Sequence, residues 1–166
     1  SDWSDTNNNA IHFGIENGIP KLNISGDGSN SDLIDGPVLT ENEWHFLVGT
    51  FDNGNLAFYI NGKPVSTRIS SITSIHESSN NWTIGRKNTD ALDYPFKGDI
   101  DEVALINKKL TDLEILHLYQ QAIYGYIDTD EDEVPDHKDF LPEDPNRVID
   151  LTFLGDNANL FKLWLR

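Results

Sequence analysis

The sequence predicts an all-β protein, an antiparallel β-sandwich with one short helix late in the chain and an acidic linker behind it. Three observations predict this. Between Ala10 and Ile106 short runs of β-branched and aromatic residues alternate with turn residues, the pattern of a sandwich or barrel. Asn-Gly pairs follow several of those runs (Asn17-Gly18, Asn53-Gly54, Asn61-Gly62), and both residues tolerate the positive φ of a tight hairpin turn. Thr111-Asp112-Leu113-Glu114 then reads as a capping box in front of an apolar helical face.

Ile11, Phe13 and Ile15 alternate with His12, Gly14 and Glu16, and Lys21 to Ile24 follows the first turn. Gly26 to Pro37 is a polar stretch rich in Gly, Ser, Asn and Asp, and predicts a loop. Trp44 to Phe51 is mostly apolar, so it predicts a strand buried on at least one face. Leu56 to Ile60 returns beside it, Val65 to Ile75 is a weak Ser/Thr-rich strand, and Trp82 to Gly85 is a short one. Phe96 to Ile106 is the longest strand candidate, and the helix should end near 122–125. Tyr126 to Asn146 is a proline-punctuated acidic linker, and residues 147–166 turn apolar again, as an edge strand or the start of a further domain.

With 166 residues the chain suits one domain, over 1–125, plus an appendage, since domains average roughly 100–150 residues. Its formal net charge of −16 repels phosphate backbones and anionic membrane surfaces, which argues against a nucleic-acid partner. No apolar run approaches the roughly 18 residues of a membrane span, so membrane insertion is not expected. There is no cysteine, hence no disulfide or thiol chemistry. The chain has no methionine and opens on SDWSDTNNNA, so the expectation is a fragment of a larger protein, tethered to further domains.

Trp44-His45-Phe46-Leu47-Val48-Gly49-Thr50-Phe51-Asp52, Leu56 through Val65 (LAFYINGKPV), Thr83-Ile84-Gly85, Phe96 through Val103 (FKGDIDEV) and Leu110-Thr111 through Glu114-Ile115 follow one another in order. In this combination the chain resembles the laminin-G-like / concanavalin A-like lectin superfamily, in its bacterial type 3 form. The resemblance implies a concanavalin A-like jelly roll. It implies a non-catalytic carbohydrate- or protein-binding (adhesion) module at the cell surface or outside it. The partner expected is a glycan or an extracellular protein. The family's opening strands are missing. Either they are lost upstream or the VIDLTFL run at 148–154 substitutes, and loss is the expectation.

Nine carboxylates against the single Lys138 crowd residues 128–144. This segment resembles a thrombospondin type 3 repeat, which implies calcium binding. Spacing points the same way. Calcium takes about six to eight oxygen ligands, and positions 1, 3, 5, 7, 9 and 12 of a loop fall on Asp128, Asp130, Asp132, Val134 through its carbonyl, Asp136 and Asp139. Glu133 stands where glycine would turn freely, so the site is expected to be weak and structural.

No catalytic residues are expected. Asp99 and Asp101 sit at i, i+2 on a strand, the position of paired acids in glucanases of related fold. The flanking glutamates that such a strand needs are absent from the register, although a second calcium site there stays open. Trp44 and Trp82 are expected in the core. Trp3, His76 and Tyr94 fall in loops, where an aromatic ring can stack on a sugar face, and they are the candidate ligand-binding residues. Two further readings stand beside the binding module: a calcium-stiffened spacer with no ligand of its own, and an accessory domain of a polysaccharide-degrading enzyme.

Overall fold

The computed structural model describes residues 8–86, 95–124 and 158–165. The chain forms β1 (Ile11–Glu16), β2 (Ile19–Ser25), β3 (Ser31–Asp35), β4 (His45–Asp52), β5 (Asn55–Ile60), β6 (Lys63–Ile69), β7 (Ile100–Lys108), α1 (Asp112–Tyr124) and β8 (Ala158–Leu165). Two antiparallel sheets result, one ordered β1-β2-β3 and the other β6-β5-β4-β8-β7. This is the β-sandwich with one short helix that the sequence predicts.

Three of the hairpins turn through Asn-Gly. Asn17 and Gly18 take φ of 53° and 77°, Asn53 and Gly54 43° and 87°, and Asn61 and Gly62 51° and 76°. Paired positive φ values twist the turn in the sense of the strands it joins. Asn61 does a second job, because its N–H donates to Phe46 O and its Oδ1 accepts from Phe46 N. The turn is thereby fastened to the start of β4.

Every residue of β4 from His45 to Phe51 is buried. Alternation divides them between two apolar clusters. Leu47 and Phe51 join Leu56 and Phe58 of β5 against Ile11, Leu22, Ile24 and Ile34 of the three-stranded sheet. Phe46 and Val48 join Tyr59 against Leu110 and Ile115, with Leu118, Tyr119 and Ala122 packed around them. The five-stranded sheet is thus covered by a sheet on one face and by α1 on the other. Gly49 lies where the two sheets approach closely. A Cβ there would stand 2.9 Å from the Leu22 side chain and 3.2 Å from Phe13.

The helix is fixed at its first turn. Thr111 N–H donates to Glu114 Oε2 at 2.5 Å and Glu114 N–H donates to Thr111 Oγ1 at 3.2 Å, which closes the capping box. Lys108 Nζ reaches the same carboxylate at 3.0 Å. Burial works to raise the Glu114 pKa, but the bonds from Thr111 and Lys108 outweigh it and hold the carboxyl below its ordinary value. Tyr59 Oη donates to Asp112 Oδ1 at 2.7 Å and links β5 to the helix start. Burial first, and that bond second, keep the phenol protonated.

Four expectations are corrected. The polar stretch 26–37 contains a strand, β3, because Ile34 inserts into the core while Asp32 at its other inward position pairs with Arg68 Nη2 at 2.6 Å. Residues 82–85 form no strand, and the chain bends over 84–86. Trp44 and Trp82 are 40% and 50% exposed, so neither is a core residue. The weak strand expected over 65–75 stops at Ile69. Of the chain's apolar end, Ala158–Leu165 forms β8, which has β4 on one side and β7 on the other. Residues 148–154 lie outside the described residues.

These contacts rank two substitutions. Gly49→Val forces overpacking between the sheets and should cost about 1–3 kcal/mol. Thr111→Ala removes one cap and should cost about 1 kcal/mol. Urea unfolding of the two variants measures both, and a larger loss at Thr111 would contradict the assignment of Gly49 as the close-packed point.

Candidate ligand-binding rim

At one end of the sandwich three pieces of chain meet: residues 8–10 ahead of β1, the β2–β3 connection over 26–30, and the segment after β6 that runs from 70 to 82. Short-range turn chemistry shapes the first two. The backbone of Asn8 stands at φ 99°, a conformation that asparagine accepts more readily than most residues. Asn8 N and Asn9 N both donate to Gly28 O, at 2.9 and 3.0 Å. Gly28 takes φ +85°, and a Cβ on it would meet the His76 ring at 3.0 Å and Asn8 Cα at 3.1 Å. His76 N in turn donates to Ser25 O at 2.8 Å.

Asn8 is the hub. Its carbonyl accepts from Ser78 Oγ at 2.6 Å and from Asn80 Nδ2 at 2.8 Å. Its Nδ2 donates to Ser79 Oγ at 2.8 Å, and its Oδ1 accepts from His76 Nε2 at 2.8 Å. Neighbours some seventy positions apart in sequence are thus held by one asparagine, which orders a loop that has no regular secondary structure.

Asp27 organises the opposite lip. Its Oδ1 accepts from Ser29 N at 2.9 Å and Asn30 N at 2.7 Å, and its Oδ2 accepts from Asn30 Nδ2 at 2.7 Å. Ser25 Oγ donates to Asn30 O and accepts from Gly28 N. The Asn30 side chain, then the Ser29 and Asn30 N–H groups, draw the Asp27 pKa down from 3.8 to about 2. The rim therefore carries a fixed anion, with Ser29, Asn30, Ser79 and Asn81 exposed beside it. Two residues beyond Asn80 stands the half-exposed indole of Trp82. An exposed aromatic ring on the same segment as fixed amide and hydroxyl groups is the chemistry that suits a polyhydroxylated ligand, with the ring taking an apolar face and the polar groups taking hydroxyls.

Of the ligand-binding residues expected from sequence, His76 stands in this rim. Its Nε2 is used within the protein, so it acts as a support for Asn8. Trp3 and Tyr94 lie outside the described residues, as do Asp128, Asp130, Asp132, Val134, Asp136 and Asp139. Asp27 and Asn8 were missed. The Gly-Asp-Gly-Ser-Asn run at 26–30 is a recognisable turn signal, but nothing local marks Asn8 as the partner of a distant loop. Asp99 precedes β7, and Asp101 begins a bulge in which its Oδ1 accepts from Glu102 N at 2.8 Å, with Glu102 at φ 53°. Among the described residues no group of three or more His, Asp or Glu is arranged to hold a metal ion, and no helix is long and apolar enough to cross a membrane.

Comparison with known proteins places these observations in context. Residues 2–116 match the laminin G type 3 family model, described as the concanavalin A-like lectin/glucanases superfamily. No curated protein matches the chain. A crystal structure of an S-layer domain-containing protein (its residues 221–444) from Clostridium thermocellum is similar at 22% identity and a TM-score of 0.44. That alignment covers 68% of this chain and 57% of the other, so this chain spans a little over half the length of that structure.

Asp27 gives a test of the rim's electrostatics. A carboxylate with a depressed pKa orders its loop fully above 3.8 and loses that hold as pH falls through about 2. The Ser29 and Asn30 amide resonances should therefore titrate with a midpoint near 2, and a midpoint at the ordinary carboxylate value would remove Asp27 from its assigned bonds.

Proposed function

The chain belongs to the concanavalin A-like lectin/glucanases superfamily, and from that premise we propose that it is a non-catalytic carbohydrate-binding module that works outside the cell or at its surface. The observation that supports this reading is the rim itself: the Asn8 and Asp27 networks, with an exposed Trp82 two residues past Asn80 in the same segment. The superfamily holds enzymes as well as binding modules. The binding reading is favoured because Asp101 is engaged with its own neighbour's N–H on a bulge, and the flanking glutamates of a glucanase strand are absent from the register around Asp99 and Asp101.

Calcium belongs to the same proposal, at Asp128, Asp130, Asp132, Val134, Asp136 and Asp139. The ligand spacing supports it, and Glu133 in the turn position keeps affinity in the range of about 10⁻⁴–10⁻³ M seen for extracellular modules. The ion's role there is to neutralise crowded carboxylates and stiffen the segment that follows the helix. A protein ligand in place of a glycan, or a spacer without any ligand, is what failure of the first test below would leave.

Two measurements test this. On a glycan array the protein should retain at least one polysaccharide class, and Trp82→Ala should weaken retention about tenfold, as truncating a buried aromatic anchor does. Uniform failure to bind any glycan would sink the carbohydrate reading. Separately, chelation should speed proteolysis within residues 126–146, and Asp130→Asn should reproduce that effect without a chelator. Equal cleavage rates with and without calcium would remove the metal.

A further inference from the structure

The two outer strands of the five-stranded sheet are protected very differently. β6 opens on Lys63 and Pro64, and its register slips opposite Phe58 and Tyr59. Its Ser66 Oγ donates to Asp35 O at 2.6 Å, and its Arg68 reaches Leu33 O and Asp32 on β3. A proline, a bulge and charges of this kind block the addition of another strand. β7 has such a guard only in its first half, where the bulge between Asp101 and Ala104 interrupts the ladder. From Ala104 to Asn107 it carries neither proline nor charge.

Apolar side chains are exposed at Leu105 in that unguarded half and at Val103 just ahead of it. Val103 is 47% and Leu105 56% exposed. Ile106 points under the helix, so Leu105 lies on the other face, the one that packs against the three-stranded sheet. That smaller sheet sits over β4, β5 and β6, as the contacts of β3 with β5 and β6 and of Gly49 with Leu22 and Phe13 show. It leaves Leu105 uncovered.

Charge along β7 selects the occupant. Asp101 and Glu102 stand at its beginning, Lys108 and Lys109 at and just past its end. Two copies of this strand laid side by side in parallel would set like charges together. Laid antiparallel about a two-fold axis near Leu105, they bring the acidic end of each copy to the lysine end of the other, twice over. Among the described residues Lys109 contacts Asp52 in an exposed pair at 3.3 Å, an interaction that exchanges at little cost.

We propose that a second copy of this chain docks on β7, adding its own β7 antiparallel so that the two five-stranded sheets become one. The contact is weak, on the order of 10⁻⁴ M, because it is narrow and two acidic molecules repel each other.

The experiment is sedimentation velocity on the whole chain, from about 10 μM to about 1 mM, with a thermal unfolding check on each variant. Dimer should appear with rising concentration, and Leu105→Lys should weaken it at least about tenfold by setting like charges at the two-fold axis. Asp101→Lys alone and Lys109→Glu alone should each weaken it. An equimolar mixture of those two variants should associate again, because opposite charges then face each other at both ends. Ile69→Lys, on the protected β6, should change nothing. A chain that stays monomeric throughout, a dimer indifferent to Leu105→Lys, or a mixture that does not recover would each overturn the proposal.

Discussion

The structure depends on burying β4 on both faces at once. A strand enclosed in this way cannot alternate apolar with polar residues, and His45 to Phe51 does not. Each face needs its own cover. One is the three-stranded sheet through Leu22, Ile24 and Ile34, and the other is α1 through Ile115. Since no regular ladder joins these covers to β4, they are positioned by shape. Gly49 sets how closely the sheet approaches, and Gly62 does the same for the helix, where a Cβ would stand 3.0 Å from Leu116 and Tyr119. Two glycines on neighbouring stretches of one sheet thus set the thickness of the molecule on either side.

The rim inherits its order from that core. Ser25 ends β2, is completely buried, and fixes both the 26–30 connection and, through His76, the segment beyond β6. Its polar groups are therefore fixed by the fold itself, and the binding proposed for them would lose correspondingly little entropy. Donors from Asn30 and Ser29 hold the Asp27 pKa near 2, so its loop keeps these bonds even in acid that would protonate an ordinary aspartate.

What sequence could reveal follows from how local each interaction is. The Asn-Gly hairpins, the Thr111–Glu114 cap and the apolar run of β4 are decided within a few residues, and each was legible. The laminin-G-like motifs fell within the stretch that the family match covers. β3 was hidden because Asp32 interrupts its apolar face, and its partner Arg68 lies on another strand. Trp82 was assigned to the core from its place in a family motif, whereas it stands half exposed. Asn8 gave no local signal, since its partners lie near residues 28 and 76–80. The calcium loop expected from spacing over residues 128–139 lies outside the described residues and stays a proposal.

The place of β8 has a consequence for how the molecule assembles. His45 pairs with Leu165 and Ile100 pairs with the same residue, so β4 and β7 meet only through a strand more distant in sequence than either is from the other. Hairpins such as β4–β5–β6 close short loops and form early, while a strand that must return from far along the chain closes a long one. Until it arrives, β4 has one flank without a ladder, and β7 has no partner among the described strands. The sandwich should therefore ripen in two kinetic stages, a fast local one and a slow one gated by insertion of a single strand. In the interval between them the chain is most exposed to aggregation.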